Sequence, residues 1–403
     1  MKKLFPASVA IVALAAALAA GAAPTSTPGV TSSSVLLGGT IPLSGPASAY
    51  QSVGRGADAY FRYVDAQGGV HGRKIVYDYL DDQYEVPKTI LLTQQLVEQD
   101  RVFAIFNTVG TEHALAIRSY LNDRKVPELF AGTGVSRIAT EHAKYPWTMG
   151  FLPSFVGEGV IDGRRIAATK PRAKIAVLYE DTDFGKDLLA GLRRGLGGKG
   201  KIVATQSYEI EDTTIDSQMA RLRASNADTL ILFATPLFAI RGYAGANRLG
   251  WRPQIYVSSV AISPDIMKIA RLDATPREVE GSTSIAFVKD PTSPVWKSDK
   301  TVKLYRSILA RFMPTAKPLD VYNYYGMAVA YTMVDALRQA GANPTRDSLL
   351  RAATHLNEVN PFLLPGIRIK TTPNDYYPMA KARFVRYRNG QWVYFGKLVD
   401  ARG

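Results

Sequence analysis

The sequence predicts an α/β protein of two doubly wound, parallel-sheet lobes, and three observations predict it. Short apolar runs alternate with stretches of helical periodicity from residue 35 onward. The alternation stops near residue 151 and restarts after Pro171 with the same rhythm. Once a leader is removed, about 380 residues remain, more than one small core organises and enough for two domains. Strand–helix–strand alternation of this kind puts helices on both faces of parallel sheets.

The first unit reads in order VLLGGTI (strand), ADAYFRYVDAQ (helix), KIVYDYL (strand), ILLTQQLVEQ (helix), RVFAIF (strand), ALAIRSYLNDRK (helix) and VPELF (strand). The helical pieces place apolar residues at i, i+3 and i+4. Gly68-Gly69 and His71-Gly72 mark a turn between them. The second unit runs to about residue 260. Its strands are AKIAVLYE, IVATQSYEI, DTLILFA and PQIYVSS, separated by the helices GKDLLAGLRRGL, IDSQMARLRAS and FAIRGYAGANRLG. The last third opens with STSIAFVKDP, adds the amphipathic helices VWKSDKTVKLYRSILARF and VYNYYGMAVAYTMVDALRQAG, and ends in the strands of KARFVRYRNGQWVYFGK. That tail is too irregular for a third α/β domain, so it is expected to pack on both lobes. A chain that crosses between lobes more than once makes a hinge rather than a loose linker. The expected division is a signal peptide at 1–22, a disordered linker at 23–34, lobe one at 35–152 plus 284–342, and lobe two at 153–283 plus 343–403.

The N-terminus has the form of a cleaved export signal. Lys2 and Lys3 precede the apolar run from 4 to 20, and Ala20-Gly21-Ala22 supplies a small-x-small cleavage site. The chain has no cysteine, which excludes a lipid anchor on Cys, disulfides and thiolate chemistry. The mature protein is expected in the periplasm. Without Lys2 and Lys3, 47 basic residues face 35 acidic ones. They are scattered, with no block of five or six, so the charge reads as a solvated surface rather than a nucleic-acid footprint. It would also draw an anionic ligand.

Catalysis finds no support. The histidines His71, His113, His142 and His355 lack metal-ligand spacing, and no GxSxG elbow occurs. The DFGKD segment at 183–187 lacks the upstream Gly and the following Ser or Thr of a phosphate loop. No cofactor or metal is expected. Binding is better supported, because ligands of open α/β sheets sit beyond the carboxyl ends of strands. Ser44-Gly45, the loop 107–111 with Val109, Gly110 and Thr111, the loop 131–134 with Gly132, Thr133 and Gly134, and the DTDFG loop all fall there. Free N–H groups at helix starts, with hydroxyls beside them, hold a carboxylate without a charged side chain. Ser44, Thr111 and Thr133 could equally be plain helix caps.

PLSGPASAYQSVGRGADAYFRYVDAQGGVHGRKI, VGTEHALAI, YEDTDFGKDLLAGLRRGL and NPFLLPGIRI resemble the periplasmic solute-binding proteins of the branched-chain amino acid type. The resemblance implies the type I periplasmic binding fold, two doubly wound lobes joined by a three-crossing hinge. It also implies an ABC-importer receptor that captures an amino acid or related small carboxylate by closing its cleft. Its partner would be an inner-membrane permease, and the receptor itself a monomer. A sensing receptor for acids or amides, signalling to a partner, is the alternative. By the same resemblance the ligand carboxylate meets the loops from Val109 to Thr111 and 131–134. Tyr50 covers the ligand, Phe184 replaces a family Tyr, and Pro236, Leu237 and Phe238 line the cleft with apolar surface. The family's ammonium-binding acid would fall near Ser259, where no acid stands, and Asp183 and Asp320 are off that position. This departure favours a carboxylate without an amine.

Overall fold

The computed structural model describes residues 27–274, 279–317 and 319–402. The expected signal peptide lies outside the described residues, as do 23–26 of the expected linker. The rest of that linker is not disordered. Val30 bridges to Val35, the Gly29 carbonyl accepts from Leu36 at 2.7 Å, and Thr31 Oγ1 accepts the amides of Ser33 and Ser34. Short hydroxyl side chains that bond nearby backbone in this way stabilise a turn where a polar, apolar-poor segment reads as loose chain.

Lobe one contains β1 (Ser34–Ile41), α1 (Gln51–Asp65), β2 (Lys74–Asp81), α2 (Val86–Glu98), β3 (Ala104–Phe106), α3 (Thr111–Asp123), β4 (Glu128–Ala131), α4 (Ser136–Thr140) and β5 (Thr148–Gly150). Its sheet is parallel in the order β2-β1-β3-β4-β5. Helices cover both faces, which is why β3 and β4 are buried at every position and read as apolar runs rather than alternating ones.

Lobe two begins with α5 (Phe155–Thr169). It continues through β6 (Lys174–Glu180), α6 (Asp183–Leu196), β7 (Lys201–Tyr208), α7 (Asp216–Ala224), β8 (Thr229–Phe233), α8 (Pro236–Arg248), β9 (Gln254–Val257), α9 (Pro264–Asp273) and β10 (Thr283–Ala286). Its parallel strands β7-β6-β8-β9-β10 repeat the order of lobe one. The α5–α6 contact is backbone to backbone. A Cβ on Gly159 would lie 2.1 Å from the Leu188 carbonyl oxygen, so only glycine permits that approach.

The remaining elements are α10 (Lys300–Phe312), α11 (Tyr322–Ala340), α12 (Arg346–Ala353), the two-residue strands β11 (Asn357–Glu358) and β12 (Ile369–Lys370), and the hairpin β13 (Lys381–Arg388) and β14 (Gln391–Asp400). The hairpin turns on Asn389-Gly390, both at positive φ, as a tight two-residue connection requires. It extends the second sheet antiparallel to β10. The chain passes between lobes three times, after β5, after β10 and before β13. One expected boundary needs correction. The sequence pattern puts 343–403 whole in lobe two, yet Arg346 donates to the Phe103 and Val102 carbonyls, Asn360 to the Ala328 carbonyl and Tyr376 to the Pro146 carbonyl. Up to about residue 376 this tail packs on lobe one. Only the hairpin belongs to the second sheet, because only its strands find an open edge there. Among the described residues no helix is long and apolar enough to cross a membrane.

Candidate functional site

The carboxyl ends of both sheets face each other across a cleft that encloses a cavity of about 120 Å³. One water needs about 10–15 Å³ on the same scale, so the space admits a small organic molecule. The lobes are closed around it. Ser136 at the start of α4 donates its N–H and Oγ to Asp187 of α6, and Asp183 N–H at the start of α6 donates to Glu112 of α3. Each lobe thus supplies an acid to a helix start of the other, where an anion is favoured. Arg137 adds an ion pair to Asp183 at 3.0 Å.

On the lobe-one wall, Gly110 and Thr111 bring the start of α3 to the cavity. Gly110 stands at φ 120° with its would-be Cβ 2.4 Å from His113 Nδ1, so the turn into the helix requires glycine. No side chain caps α3. The N–H groups of its first turn have no acceptor within the helix, and they lie where a ligand would sit. Thr111 Oγ1 shares a hydrogen bond of 2.8 Å with Thr133 Oγ1, which in turn accepts from Val135 N–H. Burial pushes His113 down to about 4, so its ring is neutral where it lies tilted against Tyr84, 4.2 Å away. Lys289 is the one cation among the described lining residues, and it is paired with Asp299 at 2.8 Å. Among the described lining residues, backbone N–H groups and hydroxyls are thus the donors free of a competing acid that an anion could use.

The lobe-two wall is built from strand ends. Thr235 follows β8 and Ser259 follows β9, and Phe184 enters from α6 packed edge-on against Phe155 at 4.9 Å. The Val260 carbonyl accepts from Tyr322 Oη at 2.8 Å and Tyr50 Oη at 3.3 Å, bonds that span the cleft. Behind Thr235, Tyr208 Oη accepts the Thr235 N–H at 3.0 Å and donates to Glu180 at 3.0 Å. Burial raises Glu180 to about 7, against the opposing bonds from Tyr208 and Thr182. Behind Ser259 lies Glu158, which accepts both the Ser259 N–H and its Oγ.

Of the residues expected at the site, Tyr50, Val109, Gly110, Thr111, Gly132, Phe184 and Ser259 line the cavity. The Val109 and Gly132 amides are already spent on the Thr40 and Thr108 carbonyls, so these two shape the wall without donating to a ligand. Ser44 and Gly45 are off the wall. Asp81 accepts the Ser44 N–H and hydroxyl and draws the loop aside, and Gly45 packs on the Gln83 carbonyl. Thr133 stands behind Thr111, and Gly134 packs on the Pro153 carbonyl at the first crossing. Pro236, Leu237 and Phe238 turn away with the first turn of α8, where Phe238 stacks on Tyr208 at 3.9 Å inside lobe two. Asp183 is tied up at the cleft rim, and Asp320 binds Ser52 and the Tyr322 N–H.

Sequence reading missed Tyr84, Tyr322, Thr235 and Glu158. Tyr84 and Thr235 each follow a strand end, the rule that located the other loops. Glu158 gave one signal, its place between Gly157 and Gly159 in a stretch where helix faces must press close.

The Periplasmic binding protein family matches residues 34–391. A Leu/Ile/Val-binding protein homolog 7 from Brucella suis biovar 1 (strain 1330) is 24% identical over 255 residues, which is 60% of this chain and 61% of that protein. The chain thus spans about three fifths of that relative's length. A fatty acid ABC transporter substrate-binding protein from Thermomonospora curvata superposes with a TM-score of 0.78 at 21% identity, covering 93% of this chain and 94% of that one. A branched chain amino acid ABC transporter protein from Thermus thermophilus with bound valine gives 0.80 at 17% identity, covering 92% and 97%. At these identities the structural likeness speaks to the fold, which is that of the type I periplasmic binding proteins.

Proposed function

This chain belongs to the periplasmic binding protein family, and we propose that it is the extracytoplasmic receptor of an ABC importer, capturing a small carboxylate in its interlobe cleft. The observation that carries this reading is the uncapped start of α3 opening into the cavity between the lobes, where the one cation among the described lining residues is already paired. Helix-start amides receive a carboxylate without the desolvation cost of a buried lysine or arginine. Valine and fatty acids, the ligand classes that the two structural relatives' names carry, share a carboxylate beside an aliphatic part. Capture is binding without chemistry. The ligand joins the α3 start to the lobe-two wall, and its contacts to both walls exist only in the closed form, so it shifts the hinge equilibrium toward closure. The closed surface is then what a membrane permease recognises. Export to the periplasm and a permease partner belong to this proposal.

A thermal-shift panel of amino acids, aliphatic acids and aromatic acids, followed by calorimetry on the hits, tests it. At least one carboxylate is expected to raise the melting temperature with one-to-one binding. Stabilisation by neutral sugars or amides, with no acid effective, would count against it.

A further inference from the structure

The two walls of the cavity offer opposite hydrogen-bonding groups. Lobe one offers N–H donors. On lobe two, Ser259 N–H lies 2.7 Å from Glu158 Oε1, and Ser259 Oγ lies 2.6 Å from Glu158 Oε2. One carboxylate takes both hydrogens of the serine. A hydroxyl whose hydrogen is committed in this way has only lone pairs left to present to the cavity.

The commitment depends on Glu158 carrying charge, and its surroundings decide that. Glu158 is 1% exposed and sits in the first turn of α5, where the helix start favours an anion. One turn further along the same helix, Asp162 is equally buried. Burial, then the charge of Glu158, pushes Asp162 well above the usual carboxylate range, and its Oδ1 has no partner among the described residues. Burial also raises Glu158, but the two bonds from Ser259 oppose it. Two acids one turn apart in a dry site do not both ionise. Glu158 accepts two hydrogen bonds and Asp162 Oδ1 accepts none, so the charge rests on Glu158. No Lys or Arg is ion-paired with Glu158 among the described residues. A buried anion thus stands one serine away from the ligand space without a cation beside it.

We propose that Ser259, polarised by Glu158, selects ligands bearing a hydrogen-bond donor, an ammonium or a hydroxyl, close to the carboxylate. Glu158 is a positioning residue and does not touch the ligand. The inference rests on the reading that lobe one holds a carboxylate. It reverses the expectation, drawn from the missing acid at position 259, of a ligand without an amine.

Two matched series test it by calorimetry. One is valine, α-hydroxyisovalerate, isovalerate and α-ketoisovalerate. The other is phenylalanine, phenyllactate, phenylpropanoate and phenylpyruvate. In whichever series binds, the amino or hydroxy acid is expected to bind about ten-fold or more tighter than the plain and oxo acids. Which of the two leads tells ammonium from hydroxyl. Glu158→Gln hands Ser259 an amide donor, frees its hydroxyl hydrogen toward the cavity and should bring that ratio to about one or favour the oxo acid. Affinity for the plain acid should stay within about three-fold. A merely structural role for Glu158 would weaken all four members alike, and that result overturns the inference. So does a wild-type protein that prefers the plain or oxo acid. Should Glu158→Gln fail to fold, Ser259→Ala is expected to erase the same ratio, and an unchanged ratio overturns the inference. If no carboxylate of any kind binds, the carboxylate reading falls before any ratio is measured, so the two failures are distinguishable.

Discussion

The two walls of the cleft come from sheets with the same strand order and the same strand–helix rhythm, yet they present opposite groups. Lobe one meets the cavity with backbone N–H groups at a helix start, fixed by Gly110 and needing no particular side chain. Lobe two meets it with side chains backed by acids: Tyr208, bonded to Glu180, accepts the Thr235 N–H, and Glu158 accepts both hydrogens of Ser259. Repeating a topology repeats where a ligand sits. It does not repeat what the ligand meets. A backbone wall is insensitive to pH, whereas an acid-backed wall is not, and that difference is measurable.

The largest expected effect comes from pH. Burial raises Glu180 to about 7, so its contribution to stability is fully present below the unfolded-state value and is lost as pH rises through about 7. Glu180→Gln mimics the protonated form. The variant should gain on wild type by up to about 3 kcal/mol between pH 4.5 and pH 8, read from urea melts across that range. A constant difference would place no such charge behind the lobe-two wall. Phe184 is next. Phe184→Ala removes a ring that lines the cavity, and ligand affinity should fall by roughly 1–3 kcal/mol in calorimetry, alongside a core-truncation loss of stability. No change would take the ring out of the ligand's reach.

On the lobe-one side, Gly110→Ala puts a Cβ against the His113 ring at a positive φ. It should cost about 1–2 kcal/mol in stability and weaken carboxylate binding, a pairing that denaturant melts and calorimetry resolve. Stability lost without affinity lost would detach the α3 start from the site. The smallest effect concerns closure. Asp187→Asn trades a charged acceptor of the Ser136 N–H and hydroxyl for an amide. It should weaken ligand binding by about 1 kcal/mol and widen the ligand-free protein in small-angle scattering. An unchanged radius with unchanged affinity would leave that cap outside the closing contacts.

The same contrast explains what could be read from the chain beforehand. The lobes were legible because each strand is an apolar run with a turn signal and a helical period on either side. The lobe-one wall was legible for a related reason: a site made of backbone at a strand-to-helix turn is marked by its glycines and threonines. The Ser44-Gly45 loop carried the same marks and still missed the cavity, because the hold of Asp81 on it depends on a strand pairing 37 residues away. The lobe-two wall was legible only at its surface. Ser259 could be located, but the charge behind it comes from 101 residues earlier, on a helix brought there by the α5–α6 contact. A short periodic pattern shows which face of α5 is buried. It does not show that an acid on that face finds its partner across the lobe. Phe238 fails for the complementary reason, since an aromatic at the third position of a helix after a strand end sits on the lobe's interior as readily as on its mouth.

The most direct test of carboxylate capture at the start of α3 compares each acid that binds with its own primary amide by calorimetry. Size and shape are nearly the same in such a pair, and only the anion that the uncapped N–H groups would receive is removed. Capture by the helix start predicts that the amide binds at least about ten-fold more weakly, with the gap narrowed in Gly110→Ala. An amide that binds as tightly as its acid would contradict it.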